Sequence, residues 1–191
     1  AEIDPSLHCL DQIQYEQVDM TKTFPFEDGS FEFLTSIEGV EHIENHWAFF
    51  RETFRVLKSG GTLMFTTPNV HTLESRWNYF LSGFHNLMPK PTPLDTENIY
   101  FEHINPIGMN QLYFILKRVG FKNIELKTHR LRKGSLVFYY LLYPFIKFSI
   151  KSACYRKETD PERRKQNDEI YKLMSSKENL TGTHTIISCT K

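Results

Sequence analysis

Between Phe31 and Thr67 two short strand-like runs, FEFLTS and TLMFTT, flank one strongly patterned helix, and this alternation limits the fold more than any other feature of the chain. Trp47, Phe50, Phe54 and Leu57 recur at i, i+3, i+7 and i+10 and make a single stripe, with Arg51, Glu52, Arg55 and Lys58 mostly off it. A helix with one apolar stripe between two apolar strands must lie on the sheet those strands build. Lys58-Ser59-Gly60-Gly61 is expected to stop the helix, with glycine in a left-handed cap. The fold class that follows is α/β, a doubly wound, mostly parallel sheet.

The rest of the chain extends the pattern. An apolar stub at Ile3 precedes a short strand expected over Gln14 to Met20, and Asp28-Gly29-Ser30 reads as a turn. A helix is expected over Leu73 to Phe84, with Trp77, Leu81 and Phe84 on one face. The proline-rich MPKPTP loop is long enough to act as a lid. A helix over Asn110 to Val119, closed by Gly120, leads to a strand over Phe121 to Thr128, and THTIISCT closes the chain as a strand.

Residues 134–156 depart from the pattern. Leu136 to Ile146 is an unbroken apolar run, shorter than the roughly 20 apolar residues a membrane span needs. A helix of the soluble core is the first expectation. The second is an interfacial helix on a membrane, because Lys127, Arg130, Arg132 and Lys133 precede it and Lys147, Lys151, Arg156 and Lys157 follow. Lys157 to Glu169 reads as a solvated turn and helix face.

The 191 residues suit a single domain, with 134–180 as an apolar and charged helical insert before the last strand. Lys+Arg and Asp+Glu balance at 23 each, so no net field holds the chain on DNA or RNA, and general nucleic-acid binding is excluded as an expectation. Cys9, Cys154 and Cys189 form no CxxC pair, which fits a reducing, cytoplasmic setting. The sequon at Asn179 is read as a chance match.

The run from Val18 to Asn69 resembles the central part of class I S-adenosylmethionine-dependent methyltransferases of the small-molecule type. The resemblance rests on motifs in order: an acid at Asp19, a Pro-Phe then Asp-Gly-Ser-Phe turn, Glu38-x-x-Glu41-His42, and LKSGG leading into a strand that ends in Pro68-Asn69. His103-Ile104-Asn105-Pro106 and Gly120-Phe121 resemble the family's downstream part. The family's glycine-rich turn is absent. Either the chain is part of a longer, N-terminally truncated domain, or the domain is degenerate, and the family-pattern acids favour the first.

By that resemblance the cofactor is S-adenosylmethionine, lying across the carboxyl ends of the strands. Glu2 would take both ribose hydroxyls, a pairing that suits an acceptor-only carboxylate, and Ile3 would pack on the adenine. Asp19 would receive the adenine amino group beside Met20, and Ser36 and Ile37 would pass the methionine half. His42 and His103 are the expected bases, with His71 a weaker third. Glu38, Glu41, His42 and His103 are also similar to a divalent-cation set found in some methyltransferases, which leaves the metal assignment open, and the spacing of His42 and His46 reads as chance. The expected function is methyl transfer to the oxygen of a small-molecule, lipid-linked or glycan-linked acceptor, with peripheral membrane contact through 134–156. The alternative is a non-catalytic binding or scaffold module.

Overall fold

The computed structural model describes residues 16–86 and 103–191. The apolar stub at Ile3, the start of the Gln14 strand, Cys9, Glu2 and the MPKPTP loop lie outside them. Within residues 16–30, Gln17 makes only an isolated bridge and no strand of the sheet forms.

A four-stranded sheet carries the fold. Strand β1 spans Phe31–Ser36 and leads through a 3-10 turn, Val40–His42, into helix α1, His46–Val56. Strand β2 spans Leu57–Pro68, helix α2 Leu73–Ser82, helix α3 Met109–Val119 and strand β3 Lys122–Lys127. The insert follows as helices α4, Lys133–Tyr155, α5, Pro161–Ser175, and α6, Lys177–Thr181, before strand β4, His184–Thr190. The strand order is β1-β2-β4-β3, with β1 parallel to β2 and β4 antiparallel to both of its neighbours. Three strands therefore share one direction and β4 alone opposes them, so the architecture is the expected α/β one.

Helix α1 forms where the stripe predicts, but it stops earlier than expected. Asn45 caps its start by accepting from the Ala48 N–H, and its last residue is Val56, followed by extended Leu57 rather than a glycine cap. Lys58 to Gly61 belong to β2, where extra residues separate the pairs Phe31↔Leu57 and Phe33↔Thr62 as a bulge. Gly60 supplies the positive φ of +77° there, and a Cβ on Gly61 would stand 2.8 Å from the Lys58 carbonyl oxygen. The buried side of α1 is His46, Phe49, Phe50, Thr53 and Val56, so the stripe sits slightly around the helix from the expected one. Phe50 packs on Phe65 of β2, with ring centroids 5.2 Å apart. Leu63, Phe65, Leu112, Leu116 and Ile187 belong to the same core.

Two expectations about the apolar helices need correction. Trp77, Leu81 and Phe84 do share a face, but in α2 and just beyond it that face is exposed. Helix α4 forms, yet it is not a core helix: only Ser135, Tyr139 and Ile150 of its 23 residues are buried. No helix among the described residues is long and apolar enough to cross a membrane.

Candidate active site at the carboxyl end of the parallel strands

Ser36 ends β1 opposite Phe65 of β2, so the loop 37–45 leaves the sheet at the carboxyl end of a parallel pair. The loop turns sharply. Glu38 adopts φ +48°, and its N–H donates to the Thr66 hydroxyl of β2 at 3.0 Å. Gly39 follows, and a Cβ built there would lie 3.1 Å from the Ser36 hydroxyl oxygen and 3.3 Å from the Met20 methyl carbon. Met20, Ser36 and Gly39 thus form a close-walled cradle, in which a side chain at position 39 would require Ser36 and Met20 to shift by a few tenths of an ångström. Met20 and Ser36, two of the residues expected to line S-adenosylmethionine, therefore meet at the carboxyl end of β1.

The other assigned cofactor residues are placed less uniformly. Ile37 is exposed. Asp19 holds its own turn, accepting from the Thr21 N–H at 2.9 Å and the Thr21 hydroxyl at 2.6 Å and pairing with Lys22 at 3.1 Å. Those donors keep its carboxyl ionised and hold it down to about 2. Glu2 and Ile3 lie outside the described residues.

The 3-10 turn after Gly39 builds the chemical centre. Glu41 is fully buried, and its Oε1 stands 4.0 Å from the Nε2 of both His42 and His103. The two imidazoles meet edge to face with centroids 5.0 Å apart. A strap of residues 103–108 sets His103 beside Glu41. Asn105 fixes the strap: its N–H donates to the Glu41 carbonyl at 3.0 Å, and its side-chain amide donates to the carbonyls of Ile43 and Glu44 at 3.1 and 3.0 Å.

Burial pushes the Glu41 carboxyl up to about 7, the charge of Glu38 adds to the effect, and His103 offsets it only in part. Neither Glu41 carboxylate oxygen has a hydrogen-bond partner among the described residues. One atom each from Glu41, His42 and His103 lie within 4.8 Å of one another, so the three could also hold a metal ion. Glu38 is not part of that set. It turns to β4, where its Oε2 reaches His184 Nε2 at 3.5 Å.

His46 and His71 are the histidines the site does not use. His46 is buried, with Nε2 2.9 Å from the Val40 carbonyl, and burial lowers its pKa. His71 lies under Gly108, where a Cβ would stand 2.6 Å from its Nε2; burial beside Arg76 pushes it down to about 3, and it stands outside the Glu41 cluster. The sequence reading missed three features. The complete burial of Glu41 depends on the turn packing against β2, and no sequence signal marks it. His184 reaches the site through the antiparallel register that puts it beside Pro68. The largely buried Arg76 donates to the His71 carbonyl at 2.9 Å and has no acidic partner among the described residues.

Three comparisons bear on this arrangement. Residues 3–65 match the family described as methyltransferase domain. A demethylmenaquinone methyltransferase from Chlorobaculum tepidum is 25% identical over 134 residues, 65% of this chain and 55% of that protein. The chain therefore spans about half the length of that curated relative. By fold, a SAM-dependent methyltransferase from Archaeoglobus fulgidus is similar at TM-score 0.54 and 14% identity, over 100% of this chain and 74% of its own. Another, from Thermotoga maritima, is similar at TM-score 0.51 and 11% identity, over 92% of this chain and 63% of its own. Residues 3–65 thus match a methyltransferase-domain family, and the described residues share the fold of S-adenosylmethionine-dependent methyltransferases.

Proposed function

We propose that the protein methylates an oxygen of an apolar, lipid-linked or glycan-linked acceptor, with His42 and His103 removing the acceptor's proton. The observation that carries this reading is a fully buried carboxylate 4.0 Å from two imidazoles at the carboxyl end of β1. S-adenosylmethionine supplies an electrophilic methyl group on sulfur. What remains for the chain is alignment of the acceptor and removal of its proton, which histidine performs near neutral pH. When an imidazole takes the proton it becomes a cation, and Glu41 stabilises it at short range in a site of low polarity. Met20, Ser36 and Gly39 hold the cofactor side of the cleft. The name of the curated relative, a demethylmenaquinone methyltransferase, supports an apolar acceptor.

Two measurements on the full-length protein test the reading. Calorimetric titration with S-adenosylhomocysteine is expected to give binding heat, and its absence favours a scaffold module without chemistry. Transfer of a tritiated methyl group from S-adenosylmethionine into total-lipid extract is expected to fall about 10²–10⁴-fold in His42→Ala and in His103→Ala, with cofactor binding retained. Near-normal transfer in both variants removes them as bases.

A second reading is favoured by the Glu41 oxygens that lack a hydrogen-bond partner among the described residues. Glu41, His42 and His103 then act as ligands of a divalent cation, which would lower the pKa of an acceptor hydroxyl. After chelation, added Zn²⁺ or Mn²⁺ raises Tm in the wild type and not in Glu41→Gln if this reading holds. No shift leaves the histidines as bases.

A further inference from the structure

Helix α4 has its polarity reversed. A surface helix buries one stripe and turns charged residues outward. Here Tyr139 and Ile150 are buried, and Tyr139, with half-buried Tyr143 and Ile146 on the same side, packs with Leu73 of α2 and Leu180 of α6. The opposite, outward side carries Val137, Phe138, Leu141, Phe145 and Phe148, each at least 60% exposed. Positions 137, 141, 145 and 148 recur at i, i+4, i+8 and i+11, so the side chains line one face along nearly the whole helix. A helix that is apolar all round belongs in a core or in lipid, and α4 is not in the core.

The charge on α4 selects between occupants. The helix contains no Asp or Glu and three lysines, Lys133, Lys147 and Lys151. At 100° per residue these lysines fall together beside the exposed stripe, next to Tyr140, and the Lys147 amine stands 5.6 Å from the centre of the Tyr143 ring, within a side-chain rotation of the exposed face. Two neighbouring acids already have partners: Glu74 pairs with Arg132, and Asp168 accepts from the hydroxyl of Tyr155 at the end of α4 itself. A second copy of the chain docking through the same face would bring no acid to meet the lysines. Anionic phospholipid headgroups over an acyl layer meet both the charge and the stripe. Helix α2, which packs on α4 through Leu73, exposes Trp77, Phe80 and Leu81, and an aromatic of this kind suits the headgroup level.

We infer that α4 docks the protein on an anionic membrane surface, lying in the plane of the headgroups with Phe138, Leu141, Phe145 and Phe148 in the acyl boundary and its lysines on the phosphates. The inference goes beyond the proposed function and does not depend on it, since the readout contains no methyl transfer.

Co-sedimentation of the full-length protein with phosphatidylcholine vesicles, with and without phosphatidylglycerol, tests it. The protein is expected to pellet with the anionic vesicles, and less so as salt rises. Neutralising Lys147 or Lys151 with alanine is expected to lower the partition coefficient about fivefold each. Phe145→Ser and Phe148→Ser, both at exposed positions and checked for an unchanged circular dichroism spectrum, are expected to lower it about tenfold or more each. The inference is overturned if anionic vesicles pellet no more protein than neutral ones, or if the folded Phe variants pellet like the wild type. It is also overturned if sedimentation velocity finds a dimer that Phe148→Ser dissolves, which assigns the face to a second copy.

Discussion

The fold opposes the ionisation of both Glu41 and His71, and shifts the two in opposite directions. The Glu41 carboxyl is raised from 4.5 to about 7, so the folded protein binds a proton more tightly than the unfolded chain, and stability is lost as pH rises from 4.5 through 7. In metal-free protein, Glu41→Gln is therefore expected to be more stable than wild type at pH 8 by up to about 3 kcal/mol, seen as a higher Tm, while its methyl transfer falls. Equal Tm values at pH 8 would show that the carboxyl is not strained. His71 is lowered from 6.5 to about 3, so the unfolded chain binds the proton first and stability is lost as pH falls through 6.5 toward 3. His71→Gln should abolish a loss of about 1–2 kcal/mol between pH 6.5 and 5, read from urea unfolding at both pH values. The sequence pattern singled out His42 and His103, and the structure brings them to one carboxylate. What remained illegible was the solvation of each ionisable group, because burial is set by residues far away in the chain. His71 looked like a third base for that reason.

At the level of elements, Asn69 is one of the side chains that tie the insert to the sheet. Asn69, at the end of β2, donates from its amide to the carbonyls of Asn179 at 2.9 Å and Gly182 at 3.0 Å, and its own Oδ1 accepts from the His71 N–H at 2.9 Å. In the sequence, Pro68-Asn69 marked only the end of a strand. In the structure it fastens α6 and the entry to β4 beside the site. Asn69→Ala leaves two buried carbonyls unpaired and is expected to cost about 1–3 kcal/mol in denaturant unfolding. A cost near zero would mean that the contact is dispensable. Strand and helix positions were legible because their periodicities are local: β1 matches the FEFLTS run residue for residue. The end of α1 was not. Gly60 and Gly61 are read from local chemistry as a helix cap, but pairing with β1 and with Lys191, whose N–H donates to the Gly61 carbonyl at 3.0 Å, draws them into the strand as a bulge.

For the whole molecule, binding and folding are linked. If the cleft built by Met20, Ser36 and Gly39 takes the cofactor product, S-adenosylhomocysteine at about 100 times its Kd should stabilise the full-length protein by about 2.7 kcal/mol. Differential scanning calorimetry reads this as a rise in Tm, and an unchanged Tm would count against the cleft. The fold class and the methyltransferase resemblance were available from the sequence alone, because alternating periods of 2 and 3.6 and an ordered set of short motifs survive in one dimension. Three things were decided only in three dimensions. The register that sets β4 antiparallel between β2 and β3 brings His184 to Glu38. The strap through Asn105 sets His103 beside Glu41. Helix α4 turns its aromatic face outward, which an apolar run cannot reveal, since the same side chains serve equally in a core and against lipid, and only the packing of α2, α5 and α6 on the other side leaves them exposed.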